Sequence, residues 1–294
     1  MAGLKKIKTR INSVKNTQKM TKAMKMISAA RLRSAQNRIL NLRHYANSLE
    51  EVLQDVVLSQ EITHPFLKQK SSKDIQKVLT VVLTSDRGLC GGFNGNICRF
   101  TENHLKENTY QQEDLFFIGR KGSDYFKFRG LQGIEDPVVN LVKEASYPLA
   151  AQISKDLISK TLASNYDAVF IIYNEFKTII APKIVKERFL PFDLSSERLS
   201  LQKEDNGVKE DLIFEIKPKE LLENLLERYF SVQIYRCICE NIAAEHGARM
   251  TAMESATTNA GDMISALTLK FNKLRQSAIT TELTEIVAGV EALT

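Results

Sequence analysis

The sequence predicts a compact α/β domain inserted between two very long terminal helices, which fold back on each other as a long antiparallel coiled coil. Three observations carry that expectation. Neither glycine nor proline falls between Gly3 and Pro65, and no proline follows Pro218 as far as Thr294. Between these stretches, short apolar runs of strand length alternate with helical candidates. Proline removes a helical donor and clashes with the turn before it, so spans without it leave long helices open. At 294 residues with 43% hydrophobic side chains, the chain can also bury a sizeable core.

The first helix is expected from about residue 4 to 58. Leu4, Ile7, Ile11 and Val14 begin its apolar stripe. Leu32, Ala35, Ile39, Leu42, Ala46, Leu49, Leu53 and Val56 then step by three and four in alternation, which is a heptad seam. At about 1.5 Å per residue such a helix is roughly 80 Å long, more than the diameter of a domain of this size. From Met1 to Leu49 there are twelve Lys or Arg and no Asp or Glu. A one-sign surface attracts its opposite over about a Debye length, so an acidic partner is expected. Over the whole chain 41 basic residues face 35 acidic ones, too mild an excess to imply nucleic acid. The basic, acid-poor start has the look of a mitochondrial transit peptide, but its apolar pattern runs unbroken into residues 32 to 56 and argues against one.

In the middle, KVLTVVLT (77–84), DLFFIG (114–119) and DAVFIIYN (167–174) are expected strands. Helices are expected near 95–108, 120–129 and 147–163. This alternation predicts a Rossmann-like domain, a parallel sheet joined by crossover helices. TIIAPKIVKERFLPF (178–192) adds a candidate edge strand, with Pro182 limiting where it pairs. SSERLSLQKEDNGVKED (195–211) is polar and expected to be mobile. The segments are therefore an N-terminal helix over 1–60, an α/β domain over 75–216 and a C-terminal helix over 219–294.

Pro218 suits the first turn of that last helix. Met250, Met253, Thr257, Ala260, Ile264, Leu267, Phe271, Leu274 and Ala278 repeat the seam, which then shifts by one residue to Ile279, Leu283, Ile286, Val290 and Leu293. Gly247, Gly261 and Gly289 each weaken the helix by about 1 kcal/mol relative to Ala, which heptad packing can absorb. From 219 to 291 the helix is roughly 110 Å long and outlasts its partner. Insertion of the domain between the helices lets them pair with each other; two separate coiled coils with other chains are the competing arrangement.

The run from Val78 to Leu83 empties into SDRGLCGGFNGN (85–96), a glycine-rich turn of the kind that opens many nucleotide-binding folds. The templates do not fit. A P-loop needs Lys-Ser/Thr after its second glycine, and none follows Gly88 or Gly91. A dinucleotide fingerprint needs a glycine where Cys90 stands. The turn reads as a tight strand-to-helix connection or a partner contact, with Asp86 and Arg87 bonding locally and Gly91–Gly92 permitting close backbone approach. Cys90, near Arg87, is a candidate for a somewhat activated thiol, though no histidine base is near it in sequence. His44, His64, His104 and His246 have no metal-ligand spacing, and Glu282 with Glu285 reads as a solvated pair. Cys90, Cys98, Cys237 and Cys239 form no CxxC and are expected as reduced thiols. No stretch approaches the ~20 apolar residues of a membrane span. No catalytic site, metal or cofactor is expected.

RQSAITTELTEIVAGVEAL (275–293) is similar to the C-terminal signature of the gamma subunits of F-type ATP synthases. Ile279, Thr280, Glu282, Glu285 and Gly289 meet its pattern, and Val290 stands where that family usually has alanine. NTQKMTKAMKMISAARLR (16–33), SDRGLCGGFN (85–94) and ENIAAEHGARMTAMESATTNAGDMI (240–264) resemble the same family, in order along the chain, with 191–211 the least specific part. The resemblance implies a bacterial-type, non-catalytic central rotor shaft. Its paired helices would enter the ring of three alpha and three beta subunits, and its α/β domain would stand outside with epsilon and the membrane c-ring. Nucleotides would be bound by beta and not by this chain, which would be peripheral on the cytoplasmic face of the bacterial plasma membrane.

The resemblance also implies roles for single residues. Arg275 and Gln276 match a polar contact to beta that breaks and reforms in each turn. Thr280 and Glu282 match a second polar group that acts in coupling with Met24 and the neighbouring Lys22 and Lys25. Arg87 and Cys90 match a loop close to acidic loops of beta. Ile286, Val287, Val290 and Leu293 match an apolar tip that turns inside an alpha–beta collar. Exposed ion pairs worth about 1 kcal/mol or less suit a contact that slides. The competing readings are a basic coiled-coil nucleic-acid-binding or scaffold protein, whose duplex affinity would fall steeply with salt, and a nucleotide enzyme built on the middle domain.

Overall fold

Residues 2–60, 64–67, 75–107, 110–140, 146–178, 183–192 and 217–291 are described by the computed structural model. Helix α1 (Ala2–Gln60) and helix α5 (Pro218–Glu291) run 59 and 74 residues. Between them come a 3-10 turn (Pro65–Leu67), β1 (Lys77–Leu83), α2 (Phe93–Glu107), β2 (Gln112–Ile118), α3 (Arg120–Lys127), α4 (Tyr147–Ser164), β3 (Ala168–Glu175) and β4 (Lys183–Leu190). Each expected element is present with its ends moved by one or two residues, except the edge strand expected within 178–192, which is the shorter Lys183–Leu190. Proline in the first turn of α4 and Asn165 in the left-handed conformation just past its end supply that helix's start and stop. Pro182 and the polar stretch 195–211 lie outside the described residues.

The chain divides into two units, Met1–Ala30 with Arg249–Thr294, and Arg31–Ala248. The division falls inside both long helices, because the later half of α1 and the first part of α5 are built into the core of the α/β domain.

In the unit Arg31–Ala248 the strand order is β2-β1-β3-β4. β1 is parallel to both its neighbours, and β4 is antiparallel to β3. The sheet is thus mixed: the link from β3 to β4 is too short for a crossover and returns the chain as a hairpin would. Alternate residues of a strand face opposite sides. Leu79, Val81, Leu83, Phe116, Ile118, Val169, Ile171 and Tyr173 face a core filled by Leu53 and Val56 of α1, Ile153 and Leu157 of α4, and Leu222, Leu226, Phe230 and Ile234 of α5. Val82, Phe117 and Ile172 face the other way, onto Ile97 and Cys98 of α2 and Phe126 of α3. A strand covered on both faces reads as a continuous apolar run, which is why β1 is buried from Val78 to Leu83. Of the expected seam on α1, Leu32, Ala35, Ile39, Ala46, Leu49, Leu53 and Val56 are buried and Leu42 is half-buried; Ala46 and Leu49 pack with Val232 of α5, while Leu53 and Val56 enter the core of the sheet.

In the unit formed by Met1–Ala30 and Arg249–Thr294, Ile11 is buried on α1, as are Met253 and Ala260 on α5. Ile264, Leu267, Phe271 and Ala278 stay half-buried at their seam positions. Between Val14 and Leu32 the seam on α1 does not lapse. It continues in the same steps through Gln18, Thr21, Lys25 and Ser28, of which Thr21 and Ser28 are buried.

Candidate functional site

The polar section of the seam gathers three of the residues singled out from the sequence. Thr21 and Thr257 share a hydrogen bond between their hydroxyls at 2.7 Å, and Thr257 donates onward to the Met253 carbonyl at 2.7 Å. The Gln18 amide donates to the Thr257 carbonyl at 3.3 Å. A Cβ on Gly261 would come 3.2 Å from that amide nitrogen, so the missing side chain makes room for it. Lys25 Nζ reaches Glu254 Oε1 at 2.6 Å, a partly exposed pair worth no more than about 1 kcal/mol. A cleft of about 470 Å³ opens beside these groups, lined by Gln18, Lys19, Lys22, Lys25, Met26, Glu254, Thr257 and Thr258. Lys22 is exposed and Met24 half-buried. Small hydroxyl side chains thus meet between α1 and α5 at this level, with Lys19, Lys22 and Lys25 along the cleft.

The Thr21–Thr257 contact has a testable cost. Thr21→Val alone is expected to lower stability by about 1 kcal/mol, since it strips a partner from the half-buried Thr257 hydroxyl. Thr21→Val with Thr257→Val is expected to recover most of that loss, because isosteric apolar groups replace both partners. Denaturant midpoints of the four chains of the double-mutant cycle measure it.

Arg275, Gln276, Thr280 and Glu282 are all exposed on α5. The Thr280 hydroxyl donates to the Gln276 carbonyl at 3.0 Å, so at rest its proton is used within the helix. The structure does not bring this group to Met24. Thr21 pairs with Thr257 and Lys25 with Glu254, so Met24 stands opposite the 250s, roughly 40 Å along the helix from Thr280 at ~1.5 Å per residue. Joint action of these residues therefore has to pass through the helix pair or a partner. Ile286 and Val287 are exposed at 63% and 58%, with Leu283 beside them, and no described part of the chain covers them. The Val290 side chain and Leu293 lie outside the described residues.

The glycine-rich turn after β1 is a closed hydrogen-bonded unit. Ser85 N–H and Oγ both meet Asn94 Oδ1 at 3.0 Å, and Asn94 Nδ2 points to Cys90 Sγ at 3.3 Å. Leu89 and Gly91 take positive φ to turn the chain inside the loop. Asp86 is committed to other segments: its carboxylate accepts the backbone N–H of Arg120 at 3.1 Å and of Asn140 at 2.8 Å. It stands at the N-terminus of α3, the position in which a helix dipole holds an anion. Leu83 to Asp86 also border a small crevice shared with Ile238, Asn241, Ile242 and Glu245 of α5.

Cys90 is 2% exposed and sits inside the loop, so it shapes the turn from within, while Arg87 beside it is exposed and is the side chain a partner at this loop would meet. Cys98, Cys237 and Cys239 are likewise free and buried. Burial pushes the Cys98 thiol up to about 12 and Cys239 to about 11, which keeps both protonated at neutral pH. Among the described residues no cluster of His, Cys, Asp and Glu could hold a metal, and no helix is long and apolar enough to cross a membrane.

Likeness to known proteins extends over the whole chain. The family model described as ATP synthase matches residues 3–293. The ATP synthase gamma chain of Bdellovibrio bacteriovorus is 46% identical over 296 residues, covering 100% of this chain and 99% of that one. The ATP synthase gamma chain of Trichlorobacter lovleyi is 43% identical with the same coverage. A chain from the central stalk and c-ring structure of the Tetrahymena thermophila mitochondrial ATP synthase covers 81% of this chain and 99% of its own, with TM-score 0.61 and 28% identity. One from the Euglena gracilis mitochondrial ATP synthase, in a structure of OSCP, F1 and c-ring, covers 99% and 95% with TM-score 0.69. At 19% identity it is a likeness of fold alone.

Proposed function

The chain belongs to the ATP synthase gamma chain family, and from that premise we propose that it is the central rotor shaft of a bacterial F-type ATP synthase. The observation that carries this is the end-to-end match at 46% identity, which includes both long helices and the domain between them. The helices act as one antiparallel coiled coil inside the ring of alpha and beta subunits. The Rossmann-like domain, about 75–216, stands outside that ring with epsilon and the c-ring. Nucleotide chemistry resides in beta, and the complex holds this chain at the cytoplasmic face of the plasma membrane. A nucleic-acid-binding reading leaves the full-length match unexplained.

Coupling follows from the shaft's lack of threefold symmetry. One helix is basic and acid-free through Leu49, while the other presents an exposed apolar end. Three identical catalytic subunits around such a pair meet three different faces at each instant. Each face favours a different conformation, so turning the shaft cycles every site through different nucleotide affinities. Exposed Lys22, Arg275, Gln276 and Glu282 offer contacts that are individually weak, as a sliding bearing needs. Met24, Lys25 and the threonine pair tune how the helices sit against each other. Arg87 is the exposed member of the glycine-rich loop available to an acidic partner.

Reconstitution with alpha and beta subunits tests the reading. A complex with one copy of this chain per three beta subunits is expected, and it should turn a bead fixed to the α/β domain when given ATP. The chain alone is expected to hydrolyse none. Failure to assemble, under conditions where a relative's gamma chain does, would sink the proposal.

A further inference from the structure

Torque between domain and shaft has to cross non-covalent contacts, and those within Arg31–Ala248 are of two kinds. Most are apolar. Apolar packing is strong but non-directional, so helices can roll or slide slightly across a sheet while keeping their area buried.

The second kind is a directional chain of polar contacts. Arg236, on α5, directs Nη2 to both carboxylate oxygens of Glu187 on β4, at 2.6 and 2.7 Å. Its Nη1 donates to the Tyr173 hydroxyl of β3 at 3.2 Å, and its Nε to Gln233 Oε1 at 2.9 Å. Tyr173 in turn donates to Glu187 Oε2 at 2.9 Å. One helical turn on, Glu240 Oε1 lies 3.8 Å from Arg236 and 3.5 Å from Arg43 of α1. Arg43 also donates to the Phe176 carbonyl just beyond β3, at 3.3 Å. Asn241 Oδ1 accepts the Asn174 backbone N–H at 3.3 Å. Two strands and both helices are thereby joined in one network.

Stability is a weak account of this network. Buried ion pairs are often no better for stability than packed apolar residues, because desolvation offsets the attraction. Here the cost falls on Glu240: its side chain is 2% exposed and burial raises its pKa against the pull of Arg236 and Arg43, whereas Arg43 is 45% and Glu187 38% exposed. What such contacts supply is a steep dependence on position and angle, which apolar packing lacks.

We propose that Arg236, with Glu187 and Tyr173 on the sheet and Glu240 and Arg43 on the helices, is the key that holds the α/β domain to the shaft against twist. The inference rests on the rotor reading. These are positioning residues: they touch no nucleotide, and they fix the angle at which rotation passes from domain to helices.

The test uses the assembled complex of alpha, beta and this chain, with a bead on the α/β domain turned by ATP hydrolysis. Arg236→Met and Glu187→Gln are expected to leave unloaded hydrolysis within about two-fold of the unchanged complex. Against viscous load, turns completed per ATP should fall several-fold in Arg236→Met and by less in Glu187→Gln, with Arg236→Lys partly restored. Ile153→Val, which loosens the same core without touching the network, should not slip. Loaded rotation equal to that of the unchanged complex in both Arg236→Met and Glu187→Gln would overturn the proposal, whatever their melting temperatures. Should Arg236→Met not assemble, the milder Glu187→Gln decides. A complex of the unchanged chain that fails to rotate would count against the rotor reading instead.

Discussion

Gly119→Ala is expected to destabilise the α/β domain by about 3–5 kcal/mol. Gly119 ends β2 with φ 104 and ψ 138, a conformation that a side chain strains. A Cβ there would sit 2.3 Å from the Thr84 carbonyl oxygen and 2.8 Å from its hydroxyl. Neither strand end can yield. Thr84 N–H donates to Ile118 O at 2.7 Å, Gly119 N–H to Val138 O at 2.7 Å, and Gly122 N–H to Thr84 Oγ1 at 2.8 Å. Relief would require breaking the β1–β2 junction, and with it the alignment that lets Asp86 reach Arg120. Thermal unfolding of the purified chain measures the effect. At roughly 2–4 °C per kcal/mol for a unit of this size, a drop of about 10 °C is expected. A midpoint within 2 °C of the parent would show that the junction yields, contrary to its bonding.

The elements that were legible in the sequence are those whose signal is periodic. The heptad spacing of Leu32 to Val56 and of Met250 to Ala278 falls on long helices, and the apolar runs of β1 and β3 have strand length. Burial follows the spacing only part of the way along α5: Leu274, Ile279, Leu283 and Ile286 hold seam positions and are exposed. The polar stretch of the seam was not legible, because Gln18, Thr21, Lys25 and Ser28 hold seam positions with side chains that a hydrophobic pattern discards. Asp86 escaped for another reason: its partners lie 34 and 54 residues away, so no local template contains them. Arg236 and Glu240 stand four apart on a helix, a spacing that carries no signal of burial; only the sheet packed over them makes them internal. Arg275, Gln276, Thr280 and Glu282 are different again. Their surroundings in this chain are solvent, so their roles came from family resemblance and rest on partners that this chain does not contain.

Phe230→Ala is the second large effect, expected at about 3–5 kcal/mol. Phe230 is fully buried where α5 meets the sheet, and three rings surround it: Phe66 at 5.8 Å, Phe189 at 5.1 Å and Tyr229 at 5.6 Å between centroids. Truncation removes those contacts and leaves a cavity, and each aromatic pair adds about 0.5–1.5 kcal/mol beyond its area. Phe128, 91% exposed after α3, supplies the control: its truncation should stay within about 0.5 kcal/mol. The two sites also separate the two ways in which the helices are held to the domain. If apolar burial sets how much energy binds them and the Arg236 network sets the angle, Phe230→Ala should shift the denaturant midpoint strongly. Below its own melting temperature, it should still carry load without slipping. Slippage in Phe230→Ala at temperatures where it remains folded would mean that packing helps to fix the angle, so that the two roles are not separate.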